Sequence, residues 1–289
     1  GLPFLLNSLK FMPTTEREGV EIDPATNKEN RALFESSVSL YGKMLNYIAT
    51  NQLRNAFNVA HLSRKYNGTQ SSNQQFQNLY MSRYKQHILT HSIVMSDDNK
   101  FVKFSTIKLP FKESKSDLTL YKNSEKLMKS YLPIECDYQP WFDATDFTIF
   151  TEQKYTYENF AKDIENKDNI YSLGQTSSEV IAWLFQCAEY FVDCDRFIFS
   201  KYKLLPNQEG KLCKTNDLYA DTNLPIELKN IYDSLFLGKK QKIGDKLLDK
   251  KFNELNILSQ KYDVEMLAKD IDNELSIQYS NNQGNTAAI

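Results

Sequence analysis

Apolar residues return every three or four positions at Phe34, Val38, Tyr41, Leu45 and Ile48, and again at Leu53, Phe57 and Ala60. That is the period of a helix with one buried face. The spacing predicts one long or two consecutive amphipathic helices over 27–66. Asp23-Pro24 and Thr26 precede them as turn and capping residues, and Asn67-Gly68 with Ser71-Ser72-Asn73 closes them with loop chemistry. The helical spacing resumes over 76–89 and then the period shortens. Ile93-Val94, the polar turn Asp97-Asp98-Asn99 and Phe101-Val102-Lys103-Phe104 read as a hairpin, with Asn99 able to take the positive φ of a tight turn.

A helix is expected over 124–131, closed by Pro133, followed by an aromatic-rich core stretch over 138–150 and helices over 157–164 and 177–199. A second strand, turn and strand follow at Lys203-Leu204-Leu205, 206–210 and Lys211-Leu212-Cys213. A helix is then expected over 225–236 and more helix over 246–268. The two hairpins align at a constant offset of 111 residues, pairing Ile93 with Leu204, Val94 with Leu205, Asn99 with Gly210, Phe101 with Leu212 and Ile107 with Leu218. Asn and Gly are the residue types that best tolerate positive φ, so the match follows a backbone requirement. The expected fold is α+β, predominantly helical, with two short hairpin-helix modules related by an internal duplication. Its segments are a helical arm (1–70), a first module (71–135), a helical connector (136–200) and a second module with C-terminal helices (201–289).

Composition narrows the partners. Lys and Arg number 35 against 37 Asp and Glu, so no basic excess favours nucleic acid. The longest apolar stretch, 180–192, is interrupted by Gln186 and Glu189 and is too short to cross a bilayer. Cys136, Cys187, Cys194 and Cys213 show no CxxC spacing, which points to a reducing, cytoplasmic setting without disulfides. Gly1 in place of Met and the polar stretch 279–289, expected to lack structure, read as the ends of an excised piece.

Glycine is the most informative residue by its scarcity. There are nine, and the closest two, Gly238 and Gly244, stand six apart, which excludes a Walker A loop, a dinucleotide fingerprint and a nucleophile elbow together. His87 and His91 have the spacing that puts two imidazoles on one helix face, and are the candidate metal ligands. Ile88 stands where a zinc protease has its Glu, so a structural role is the favoured reading. His61 is the only other histidine. The carboxylate pairs Asp143/Asp146, Asp193/Asp195 and Asp270/Asp272 lack a diagnostic setting, and Ile198 stands where a calcium loop starting at Asp193 needs glycine. No cofactor is expected. Trp141 and Trp183 fit burial better than a base-stacking platform.

Leu204-Leu205-Pro206-Asn207-Gln208-Glu209-Gly210-Lys211-Leu212, with Asp217-Leu218-Tyr219 and 224–231, resembles a stretch of the large sacsin-like ATPases of the GHKL class. The resemblance spans roughly 76–248 and is diffuse outside 205–210. It implies a piece downstream of a nucleotide-binding domain, in a long protein with chaperone-like or defence-associated roles. The glycine-rich DxGxG and GxxGxG segments of that nucleotide site have no counterpart here, so no ATPase residue carries over. Asn207 and Gln208 are the candidate ligand-binding residues of the matching run, though their types also suit a turn. The expected function is therefore a non-catalytic scaffold or interaction region whose partners are other domains of the parent protein or a client protein. A nucleic-acid-binding accessory module and a hydrolase built around His87 and His91 are the alternatives.

Overall fold

The structure, a computed structural model, describes residues 27–62, 77–174 and 176–286. The chain forms two compact units, Gly1–Thr156 and Tyr157–Ile289. The turn residues expected at Asp23-Pro24, Thr26, Asn67-Gly68 and Ser71-Ser72-Asn73 lie outside the described residues.

In the first unit, helix α1 (Lys28–Thr50) buries the predicted stripe of Phe34, Val38, Tyr41 and Leu45. Its first turn is capped by Asn27, whose side chain accepts from the Asn30 amide at 2.9 Å. The second helix expected after it does not form over 53–62. Gln52 and Asn55 take φ of 51° and 65°, which no helix tolerates, and only a short 3-10 turn, Ala56–Asn58, follows. Helix α2 (Ser82–Thr90) packs along α1. The close approach is set by Gly42, where an added Cβ would meet the His87 ring at 2.5 Å. Tyr84 Oη and Ser37 Oγ share a buried hydrogen bond of 2.5 Å across the same seam.

Strands β1 (Ser92–Met95) and β2 (Phe101–Lys103) form the predicted antiparallel hairpin, with Asn99 at φ 61°. Strand β3 (Leu109–Lys112) then turns into β4 (Lys115–Ser116) through Glu113 and Ser114, both at positive φ. Helix α3 (Leu118–Met128) begins six residues earlier than its apolar spacing predicts. The reason is Asp117, whose carboxylate accepts from the Leu120 amide at 2.9 Å and starts the helix there. Helix α4 (Glu135–Ala144) puts Trp141 and Tyr138 into the core against Phe104 and Tyr121. Strand β5 (Lys154–Tyr155) closes the unit by pairing parallel with β3.

The second unit opens with α5 (Tyr157–Glu165) and α6 (Ser177–Cys194). The run expected to be helical to 199 breaks at Asp195 and resumes as the single turn α7 (Ile198–Lys201). Strands β6 (Leu205–Pro206) and β7 (Leu212–Cys213) form the second hairpin, with Gly210 at φ 83°. Strand β8 (Ala220–Asp221) and helix α8 (Ile226–Leu235) follow. The further helix expected over 246–268 is instead a 3-10 helix, Lys250–Leu255, then strand β9 (Lys261–Tyr262) parallel to β8, then helix α9 (Val264–Thr286). Asn256, at φ 50°, ends the first of these and prevents a continuous helix. Helix α9 runs to Thr286, into the stretch expected to be structureless, and is anchored by Leu267 and Ile271 in a cluster with Tyr232, Phe236 and Leu247. Burial of each such side chain stabilises by roughly 1.5–3 kcal/mol.

The two hairpins are the same structure twice. Val94 faces Val102 as Leu205 faces Cys213, and Met95 faces Phe101 as Pro206 faces Leu212. Ser96 N donates to Lys100 O at 2.8 Å, and Asn207 N to Lys211 O at 2.9 Å. A 3-10 turn follows each, Phe104–Thr106 and Thr215–Asp217. The same three backbone contacts then hold a returning segment to each hairpin. Lys108, Asp97 and Ile134 contact Tyr131, Leu132 and Met95 in the first, while Tyr219, Gln208 and Asp249 contact Lys246, Leu247 and Pro206 in the second. Farther along the chain a short strand pairs parallel with each post-hairpin strand, β5 with β3 and β9 with β8. The repeat thus extends well past the hairpins into nonlocal pairing, which chance agreement of apolar patterns would not produce.

Candidate functional site

The residues singled out by the Leu-Pro-Asn-Gln run sit where the second hairpin meets α8. Asn207, at 1% exposure, is a turn clamp. Its Oδ1 accepts from the Glu209 and Lys211 amides at 3.1 and 2.8 Å, and its Nδ2 donates to Asp245 O at 3.1 Å. Pro206 supplies the strand end before it, and Gly210 the positive φ after it. An added Cβ at Gly210 would also come within 3.0 Å of Ile170.

Gln208 belongs to a buried polar node. Its Nε2 donates to Asp221 Oδ2 at 3.0 Å and to Leu248 O at 3.4 Å. Lys229 Nζ donates to the same Asp221 oxygen at 2.7 Å and to Gln208 Oε1 at 3.5 Å. The other Asp221 oxygen accepts from the Leu224 amide at 3.0 Å. Burial pushes the Asp221 carboxyl up, but the bonds from Lys229, Leu224 and Gln208 outweigh it and bring it down to about 2. The carboxylate is therefore ionised and fully engaged, an ionic clamp in place of a free base.

Sequence reading reached Gln208 and missed Asp221 and Lys229. The folded helices show the correspondence: Lys229 is the fourth residue of α8 just as Tyr121 is of α3, so the repeat sets a cation where its other copy has a phenol.

His87 and His91 come together with ring centroids 5.9 Å apart. His91 lies past the end of α2 in extended backbone, and its Nδ1 is 2.7 Å from the His87 carbonyl oxygen. His87 lies across Gly42 and edge-on to Tyr41. Burial lowers its basicity, and the neighbouring His91 and Arg83 lower it further. Among the described residues no group of three His, Cys, Asp or Glu could hold a metal ion, and no helix is long and apolar enough to cross a membrane. His61 Nδ1 lies 2.8 Å from Ala144 O. None of the four cysteines is in a disulfide, and Trp141 is buried against Phe104.

Comparison of the chain with known protein families, with curated protein sequences and with solved structures finds no match.

Proposed function

We propose that this chain is a non-catalytic scaffold or protein-interaction region of a larger sacsin-like ATPase, in which the two hairpin modules hold other domains of the parent protein or a client. The observation that carries this reading is the use made of the run behind the resemblance. Asn207 and Gln208 spend their side chains on Asp245 O, the Glu209 and Lys211 amides, Asp221 and Leu248 O. Residues that close a turn and seat a helix form a folding signature, and a family sharing a module would share them without sharing a reaction. The scarcity of closely spaced glycine supports the same reading, because backbone amides cannot then converge on phosphates.

The test is direct. The chain is incubated with ATP and magnesium and phosphate release is followed, and in parallel it is mixed with the polypeptide encoded upstream in its own gene and sized by light scattering. Complex formation without phosphate release by the chain alone is the expected result. Hydrolysis of ATP by these residues alone would overturn the reading.

A further inference from the structure

A second match between distant parts of the chain lies downstream of the hairpins. Residues 153–165 and 260–272 both open on Gln-Lys-Tyr, then share Glu158 with Glu265 and the run Ala161-Lys162-Asp163-Ile164 with Ala268-Lys269-Asp270-Ile271. Eight of the thirteen positions are identical. In each copy the Lys-Tyr pair is the short parallel strand, β5 or β9, and a helix starts two residues later, α5 or α9. The two helices are one element in two copies, and their surroundings can be compared position by position.

One face differs. Glu158, Ala161 and Glu165 follow one another at helical spacing along one side of α5, and the chain that follows returns to that side. Glu165 Oε1 accepts from the Lys203 amide at 3.2 Å, and Glu158 pairs with Lys201 of α7 at 3.9 Å. Phe160 beside them meets Trp183 and Phe191 of α6, with ring centroids 6.2 and 5.6 Å away. Ala161 is fully enclosed. In α9 the same three positions are Glu265, Ala268 and Asp272, and all are exposed. Neither carboxylate has an ion pair or a side-chain hydrogen bond among the described residues. Val264 and Leu275, both 46% exposed, continue that side with apolar surface. The flank that α8 covers is the neighbouring one, where Leu267 and Ile271 meet Tyr232 and Phe236.

We infer that the Glu265-Ala268-Asp272 face of α9 is a docking site for a helix pair of the α6–α7 kind, carried by a further module of this type in a partner polypeptide. The first copy defines the occupant. It is an amphipathic helix with two large aromatic rings on one side, followed by a turn that brings a lysine and a backbone amide to the two carboxylates. Repeated modules bury such faces against their neighbours. The rings supply most of the contact energy, and the exposed ion pair adds little beyond register. The inference rests on the interaction reading above and names the chemistry of one partner. Its probe is a peptide of known sequence, so a failure here removes the α9 face and leaves the scaffold reading to its own assay with the upstream polypeptide.

The experiment titrates the whole chain into a fluorescent synthetic peptide of residues 177–203, carrying Cys187→Ser and Cys194→Ser, and follows anisotropy, while amide NMR of the chain maps the contact. Saturable binding with shifts confined to 263–279 is expected. Ala268→Arg in the chain, at an exposed position that leaves the far-ultraviolet spectrum unchanged, should weaken binding at least tenfold. A peptide that also carries Trp183→Ala and Phe191→Ala should bind about tenfold more weakly or worse. Glu265→Lys in the chain should cost about threefold, and Lys201→Glu in the peptide should recover it. Absence of binding, shifts at 157–165 in place of 263–279, or undiminished binding by Ala268→Arg would each overturn the inference. So would light scattering that shows the chain alone as a dimer dissociated by Ala268→Arg, because the occupant would then be a second copy.

Discussion

The two modules share a backbone and differ in what they place at its centre. In the first, Tyr121 Oη donates to Pro133 O at 2.7 Å and lies 3.4 Å from Asp97. In the second, Lys229 occupies the same helix position and meets Asp221 and Gln208, while Leu248 O, the counterpart of Pro133 O, accepts from Gln208. A neutral hydroxyl and an ion pair thus hold the same corner. The geometric demand is for a donor reaching from the helix toward the hairpin turn and the returning chain, and the charge state is secondary. What differs is the penalty for losing one partner, because a stranded charge in a buried site is far more costly than a stranded carbonyl.

The largest effect is therefore expected at that corner. Lys229→Met should destabilise the second unit by about 3–5 kcal/mol, since Asp221, with its side chain 1% exposed, is left charged without its cation. Tyr121→Phe should cost the first unit only about 1–2 kcal/mol. Urea unfolding, with tryptophan fluorescence for Trp141 in one unit and Trp183 in the other, reads the two separately. The double variant Asp221→Leu with Lys229→Met should recover most of the loss, since replacing both charges removes the stranded ion. Equal losses from Lys229→Met and Tyr121→Phe would mean that the ion pair is not the distinguishing element.

That corner also marks where sequence reading stops. The hairpins were legible because their cues are local, a short apolar run on either side of Asn99 or Gly210. Helix α1 was legible from its stripe, and α8 from Pro225 before it. The pairing of β3 with β5 and of β8 with β9 was not, because strands such as Lys154-Tyr155 and Lys261-Tyr262 are two residues long and take their partner from far along the chain. The Glu113-Ser114 turn escaped notice because neither residue type advertises positive φ. Apolar residues over 246–268 fall at helix-like spacing, yet Asn256 in the left-handed region divides them. At the node, Gln208 was visible inside a recognisable run, whereas Asp221 and Lys229 come from separate elements that only the folded backbone brings within hydrogen-bond distance.

The turns sharpen the comparison at smaller scale. Asn207→Ala removes an acceptor of two part-buried amides and should cost about 2–3 kcal/mol. Ser96→Ala, at the same turn position of the first hairpin, removes one hydroxyl that donates to Lys100 O and Asp98 and should cost about 1 kcal/mol. Gly210→Ala combines a φ of 83° with the contact to Ile170 and should cost about 1–2 kcal/mol. Asn99→Gly, which converts the first turn to the residue of the second, should change stability by less than about 0.5 kcal/mol. A reversal of either pair in unfolding midpoints would show that the two turns are not equivalent after all.

The smallest expected difference is in pH dependence, and it has opposite origins in the two units. In the first, burial depresses the His87 pKa below its ordinary 6.5, with His91 and Arg83 adding positive charge and the Tyr41 ring closing the near side. The folded state then holds fewer protons on this group than the unfolded state once the pH falls below about 6.5. Stability is full above that value and declines as the pH drops toward the folded pKa. In the second unit the depressed group is a carboxyl. Asp221, at about 2 against an ordinary 3.8, keeps its contribution through the whole range in which His87 titrates and loses it only as the pH falls below about 4 toward 2. Unfolding midpoints compared at pH 7 and pH 5.5 should therefore fall for the first unit more than for the second, and His87→Gln should remove the excess. A first-unit midpoint that falls equally in His87→Gln would place the acid sensitivity on another group and break the link between the Gly42 contact and the half-buried imidazole.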